Sequence, residues 1–387
     1  MRPISSSIKY AALSLAMVCL SVLSSCGARG NTGASDSAAA QAEAAKADTL
    51  NLLFAGDAMQ HGPQLKAALR AGGGKDYNYD DCFTLIAPEV KAADYAVANL
   101  EVPLGGGPEY RGYPCFSAPD SYAIALREAG FDMMLTANNH CMDSGAKAAK
   151  RTCSALDRLG LDHIGTYADS TESARRIPFI KDIKGVKVGF LNYTYGTNGI
   201  PVTGGVDVAL IDHDRIAREM KKTREAGAEL LVVTLHWGVE YNQIENRTQR
   251  ELAQFIVDNG ADLIIGAHPH VVQPMKVVHN ARENKDVLIV YSLGNFLSNM
   301  NDTNCRGGAL VRTRMVRGQD GKMRFDHADY DTFFTAKPEG ANKNFRVVPA
   351  WMPEYIPAGQ KSAYKRFEQS AQKIFDENNV NVSRRHK

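Results

Sequence analysis

The chain has no basic stripe. Its 45 Lys and Arg stand against 43 Asp and Glu, a formal net charge of +2 over 387 residues. The basic residues are scattered rather than run together, so the electrostatic footprint that nucleic acid requires is missing. There is no CxxC pair either: Cys19, Cys26, Cys82, Cys115, Cys141, Cys153 and Cys305 are all far apart, which argues against a structural zinc site. No internal repeat is visible, and no second long apolar run follows the one at the N-terminus. Any attachment to a membrane would therefore go through that end. What is present is length enough for one large sandwich or two ordinary domains, with a sizeable core.

The N-terminus is a different material from the rest. Arg2 and Lys9 give it a positive start, and Tyr10 to Val22 is an apolar run too short to span comfortably. It closes on Leu23-Ser24-Ser25-Cys26-Gly27. Small residues ahead of a cysteine resemble the lipobox of bacterial lipoproteins, which implies a signal peptide over 1–26 and a lipid on Cys26. The plainer alternative is a secretory signal in which Cys26 is incidental. Residues 27–48 are rich in Ala, Ser, Gly and Gln and carry almost no large apolar side chain. Such a stretch reads as a flexible tether, with an r.m.s. reach of about 25 Å for roughly twenty residues. The expected location is the cell envelope, outside the cytoplasm, with the lipid as the only anchor. Five cysteines remain beyond Cys26. A disulfide is permitted in that compartment, but an odd count leaves at least one thiol unpaired.

From Leu50 onward short apolar runs alternate with amphipathic stretches, the pattern of an α/β domain. Strands are expected at Leu50–Ala55, Tyr95–Ala98, Met133–Leu135, Val186–Tyr193, Leu230–Leu235, Leu263–Ile265 and Val287–Tyr291. Helical spacing marks Asp120–Ala129 and Thr248–Val257, and Gly130, Gly160 and Gly260 each follow a helical pattern, where a left-handed cap belongs. Ala309–Val316 and Met323–Phe334 alternate around Arg317-Gly318-Gln319-Asp320-Gly321, a hairpin pattern. No linker divides the chain between Leu50 and Phe334. The reading is one domain over 49–335 and an extension over 336–387 that closes with a helix at Lys361–Asn378 and packs on the domain.

The informative feature is what the strands run into. The first ends in Gly56-Asp57, and the next in Asn99-Leu100-Glu101. Then come Asn138-Asn139-His140, His236-Trp237-Gly238, His268-Pro269-His270, and Leu293-Gly294-Asn295-Phe296. In open α/β sheets ligands bind beyond the carboxyl ends of strands. Asp, Glu, Asn and His converging there make an oxygen and imidazole cage without thiolate, suited to Mn, Fe or Zn. The small residues Ala55, Gly56, Gly266 and Ala267 would let the backbone approach the ions closely. Each residue also has a plain reading. Asp57 could cap a helix, Glu101 could be a solvated loop carboxylate, and Asn139 with His140 could belong to a turn. A lone His236 would more often be a core histidine than a ligand. His268 and His270 are the hardest to dismiss, since i, i+2 residues of extended backbone point the same way.

Together these motifs resemble the CapA (PgsA) family, associated with synthesis or export of poly-γ-glutamate capsule. That family is a branch of the calcineurin-like metallophosphoesterase superfamily. The resemblance spans about Leu50 to Phe296 and implies a sandwich of two mixed β-sheets flanked by helices. It implies Asp57 as the first-strand ligand, Glu101 as the bridging carboxylate, and Asn139, His236 and His268 at the second metal. His270 would close the first site and His140 would be the general acid. Asp143 could orient His140, and Asn295 could reach the site from its strand end.

Two departures from the wider superfamily thin the first site. Met59 stands where the common Asp-x-His motif has histidine, and Glu101 stands where aspartate is usual. His61 would need a bend to substitute. The implied cofactors are one or two divalent ions per chain, which would acidify bound water for hydrolysis of a phosphoester or polymer amide bond. The implied partners are an anionic capsular or cell-wall polymer, the membrane and the membrane proteins of capsule synthesis. The rivals are a non-catalytic accessory lipoprotein with a relic site and, more weakly, a solute-binding lipoprotein. Cys141 beside His140 reads as a buried thiol rather than a nucleophile.

Overall fold

In the computed structural model, which describes residues 47–340 and 343–386, the apolar runs become the inner strands of two sheets. The first sheet has nine strands. Its main path runs Arg346–Pro349, Met323–Ala336, Gly307–Arg317, Thr49–Ala58, Tyr95–Leu100, Met133–Leu135 and Asp162–Ile164. Asn295–Leu297 pairs beside the end of Thr49–Ala58, and Val382–Arg384 beside Met323–Ala336. The second sheet runs Met275–Asn280, Lys285–Val290, Leu263–Ala267, Leu230–His236, Val186–Thr194 and Phe179–Ile183. Both sheets mix parallel and antiparallel pairs.

Period-two alternation explains why the strands look apolar throughout. Leu50, Leu52 and Phe54 join Val97, Leu135, Val188, Phe190, Val232 and Ile265 in one buried cluster fed by both sheets. The intervening Leu53, Ala55, Ala96, Ala98 and Met134 belong to another cluster with Tyr122, Leu126 and Leu156 of helices Asp120–Ala129 and Gly145–Leu159. On the second sheet Leu191, Leu231, Val233 and Ile264 pack with Ile216, Met220, Leu252 and Ile256 of helices His213–Glu225 and Arg247–Asp258. Both faces of each inner strand are thus covered, as parallel strands require. Each buried Leu, Ile, Val or Phe contributes about 1.5–3 kcal/mol.

The turn chemistry follows the sequence closely. Gly130 and Gly160 close their helices in the left-handed region, at φ 111° and 70°. Gly260 has φ 90° one residue after the Asn259 cap. The hairpin joins Gly307–Arg317 to Met323–Ala336 antiparallel, with Arg317 opposite Met323. Residues beyond it are woven into the sandwich. Arg346–Pro349 and Val382–Arg384 flank Met323–Ala336, and helix Lys361–Asn378 sends Phe367, Ala371 and Phe375 into the cluster between the sheets. Val277 N–H donates to Val380 O at 2.9 Å, tying this segment to the second sheet.

At the other end, Ala47 N–H donates to Lys184 O at 3.0 Å and Arg317 N–H to Asp48 O at 2.9 Å, so the last two residues of the expected tether are anchored. The expected signal peptide, Cys26 and the rest of the tether lie outside the described residues. No helix among the described residues is long and apolar enough to cross a membrane. Cys82, Cys115, Cys141, Cys153 and Cys305 are all free thiols. Burial raises the Cys141, Cys153 and Cys305 thiols to about 12, which leaves them unreactive at neutral pH.

Candidate metal centre

Registers bring the strand ends of both sheets level. Asp57 lies opposite Asn99 on one side and Asn295 on the other, while His236 lies opposite Ala267 and Thr194. The register of Thr49–Ala58 shifts on both flanks at Asp57, a bulge of the kind that re-aims a side chain. Gly56 and Gly266 serve this packing. A Cβ on Gly56 would run into the Gly294 carbonyl, and one on Gly266 into the Tyr291 carbonyl and the Trp237 indole. Both positions therefore need glycine for the close approach of neighbouring backbone.

The His-Pro-His segment also differs from expectation. Its strand stops at Ala267, and His268 and His270 take φ of 100° and 59° rather than extended values. Left-handed backbone in a non-glycine residue costs on the order of 1–3 kcal/mol. His268 N–H donates to Asp57 Oδ2 at 3.3 Å, so the turn is held by the carboxylate it faces.

The structure brings the site residues together as two groups that share one carboxylate. Donor atoms of Glu101, His236 and His268 lie within 4.8 Å of one another, and so do those of Asp57, Glu101 and His270. All five residues are buried. His236 Nε2 lies 2.9 Å from Asn139 Oδ1 and 3.4 Å from Glu101 Oε1. His270 Nδ1 lies 3.0 Å from Asn295 Oδ1 and 3.3 Å from Asp57 Oδ2. Asn295 donates to the Cys305 carbonyl, so its oxygen is turned toward the imidazole.

Glu101 is the telling member. It is 0 % exposed, yet neither carboxylate oxygen has a hydrogen-bond partner, and His268 Nδ1 lacks one too. A buried carboxylate left so costs several kcal/mol unless a cation compensates it. Burial, then the charge of Asp57, holds the Glu101 carboxyl well above its ordinary range. Burial and neighbouring histidines hold His236 well below its own range and His268 down to about 3. Neutral imidazoles and buried carboxylates in this arrangement are a donor set that fits divalent ions.

His140 stands beside this cluster. Its Nδ1 lies 2.7 Å from Asp143 Oδ2, which also accepts from Phe116 N–H at 2.8 Å, and the Phe116 ring meets the imidazole edge to face. The ring is therefore held on two sides, by Asp143 and by Phe116. Met59, by contrast, is buried in an apolar cluster, and no imidazole takes its place. His61 caps helix Gly62–Ala71, with Nδ1 near Gln64 Oε1 and Asn299 N–H, and joins neither donor group.

Several contributors carry no role in the sequence reading. Asn99 donates to Asp57 Oδ1 at 2.8 Å, and Asn138 donates to the Leu100 carbonyl at 2.9 Å and to Asn99 Oδ1 at 3.3 Å. This amide chain aims Asp57. Tyr195, half exposed, lays its ring on His268 with centroids 4.6 Å apart. The two asparagines sit within the quoted motifs. Tyr195 follows the end of its strand with no sequence signal.

Two mixed sheets, helical flanks and a carboxylate shared between two donor groups at the strand ends define an α/β sandwich with a candidate dinuclear metal centre. The chain belongs to the family of the bacterial capsule synthesis protein PGA_cap, whose model matches residues 51–300. It is 28 % identical over 286 residues to the PGA biosynthesis protein CapA of Bacillus subtilis, covering 73 % of this chain and 72 % of that one. It is 32 % identical over 246 residues to the capsule biosynthesis protein CapA of Bacillus anthracis, covering 61 % of this chain and 58 % of the other. Among solved structures, the calcineurin-like phosphoesterase YfkN of Bacillus subtilis aligns with TM-score 0.40 and 12 % identity, covering 85 % of this chain and 98 % of that one.

Proposed function

We propose that the chain is an envelope protein of capsule biosynthesis, held to a membrane by a lipid on Cys26, that hydrolyses a phosphoester or polymer amide bond with divalent metal. The observation that carries the reading is Glu101, buried with neither oxygen hydrogen-bonded and with His236 Nε2 3.4 Å from Oε1, in the carboxylate position shared by both donor groups. Glu101, His236 and His268, with Asn139, would hold one ion; Asp57, Glu101 and His270 would hold the other. Bound divalent ions supply Lewis acidity, neutralising charge on substrate oxygens and acidifying water. Asp143 holds Nδ1 of His140, which leaves Nε2 to carry the proton toward a leaving-group oxygen. Asn99, Asn138 and Asn295 keep Asp57 and His270 in place. An anionic polymer of the capsule or cell wall is the substrate class this reading favours, and the membrane proteins of capsule synthesis are its partners.

The test is metal content by mass spectrometry beside a screen of phosphodiester and γ-glutamyl substrates. The expected result is about two ions per chain, lost with turnover in His236→Ala combined with His268→Ala. Turnover that survives that double change would sink the assignment of the chemistry to this centre. A second reading, a non-catalytic polymer-binding accessory protein, is favoured by Met59, which places a thioether in an apolar cluster instead of an imidazole at the site. It predicts metal uptake without turnover on any of these substrates.

A further inference from the structure

The group of Asp57, Glu101 and His270 is the leaner half of the centre, since Met59 offers it no nitrogen. One carboxylate nearby has no part in the proposed chemistry. Glu240 Oε1 lies 3.9 Å from His270 Nε2, the same distance as Glu101 Oε1 from that nitrogen. Nδ1 of His270 faces Asn295 Oδ1 at 3.0 Å and Asp57 Oδ2 at 3.3 Å, while Nε2 faces Glu101 and Glu240.

The loop that carries Glu240 is pinned to the His-Pro-His turn on both sides of it. Trp237 N–H donates to Ala267 O at 3.1 Å and Tyr241 N–H to Pro269 O at 2.9 Å. The charge of Glu240 adds to the upward push on Glu101 and on the phenol of Tyr195, as expected of groups that face one space. Among the described residues no Lys or Arg forms an ion pair with Asp57, Glu101 or Glu240.

We infer that Glu240 is a fourth donor of the Asp57, Glu101 and His270 half-site and makes the two half-sites chemically unequal. This rests on the metal reading above. The first half-site then offers three carboxylates and one imidazole, and the second offers two imidazoles, the shared carboxylate and the Asn139 amide oxygen. Carboxylate-rich sites suit Mn²⁺, whereas imidazole suits Zn²⁺. The centre is thereby built for two different ions.

The experiment uses the purified full chain, stripped of metal, given one equivalent of Zn²⁺ and then titrated with Mn²⁺. Free Mn²⁺ is followed by its paramagnetic resonance and bound metals by mass spectrometry. The wild-type chain should hold one Zn²⁺ and one Mn²⁺. Glu240→Gln and Glu240→Ala should keep the Zn²⁺, which reports an intact fold, while Mn²⁺ affinity falls about tenfold or more. Unchanged Mn²⁺ affinity in both variants overturns the inference. So does joint loss of both ions, which would make Glu240 a prop for its loop. Two Zn²⁺ and no Mn²⁺ in the wild type overturns the inequality of the half-sites. A wild-type chain that takes up neither ion overturns the metal reading itself.

Discussion

Strand Leu230–His236 passes through two environments. Along its length Val232 joins the cluster between the sheets and Val233 the cluster under the helices, each against apolar neighbours. At its last residue, equally buried, His236 meets Asn139 and Glu101 instead. The same contrast holds for Thr49–Ala58, apolar from Leu52 to Ala55 and then carboxylate at Asp57. Burial alone therefore does not separate core from site. What the side chain asks for does: along these two strands Val232, Val233 and Leu52 to Ala55 are apolar and need no partner, whereas at the edge Glu101 is buried with neither oxygen hydrogen-bonded. Stability and function are thus assigned to successive segments of the same strands, and changes at the two places should act on different observables.

The sharpest break of that contrast is Glu101→Leu. Removing a buried, unpartnered carboxylate should stabilise the metal-free protein by about 1–3 kcal/mol, read by urea unfolding in chelator. The same change should abolish the stabilisation gained on adding metal and lower turnover by at least about 100-fold. A loss of metal-free stability would mean that Glu101 is an ordinary core residue. Next in size is His140→Ala, expected to lower turnover by about 10²–10⁴-fold with metal content intact. Asp143→Asn should cost less, because it disturbs only the orientation of the ring. An effect of Asp143→Asn as large as that of His140→Ala would make the carboxylate more than a prop.

The interior offers the converse. Phe190→Ala empties part of the cluster between the sheets, to which Tyr95 and Phe179 also bring rings. It should cost about 3–5 kcal/mol, measured by urea unfolding, with unchanged metal per folded chain. Loss of metal at constant folded fraction would show that core and edge are mechanically coupled.

What could be read without the structure divides along the same line. Apolar runs ending in Asp57, Glu101, His236 and His268 mark strands and donors together, because a parallel strand covered on both faces has no other pattern to show. The two-sheet pairing was legible only through family resemblance, since period two gives alternation but not partners. Roles that depend on tertiary contact were harder to read: Tyr195 carried no signal, and Asn99 stood in a quoted motif without its role. Tyr195 reaches His268, and Asn99 aims Asp57, only once the sheets are assembled. The His-Pro-His turn misled for a physical reason: adjacency suggested extended backbone, while the fold holds both histidines at positive φ. Gly56 and Gly266 were legible as close-approach positions, and the carbonyls of Gly294 and Tyr291 are the groups that come close.

The smallest effect tests whether buried imidazoles outside the centre behave as core. His163, 0 % exposed on strand Asp162–Ile164, has Nε2 3.2 Å from Asp157 Oδ1 and an unpartnered Nδ1. Burial first, then the nearby Arg176 charge, lowers its pKa below the ordinary imidazole range, against the partial support of Asp157. A group depressed in this way contributes stability that is present above the unfolded value and is lost as pH falls through the folded one. His163→Gln should therefore flatten the decline of stability below about pH 6.5 and leave the neutral-pH metal content untouched. Urea unfolding at several pH values, with chelator present, isolates this term from the centre. An unchanged slope would mean that the imidazole gains as much from Asp157 as it loses to burial, and that the imidazoles of the centre differ from it in kind.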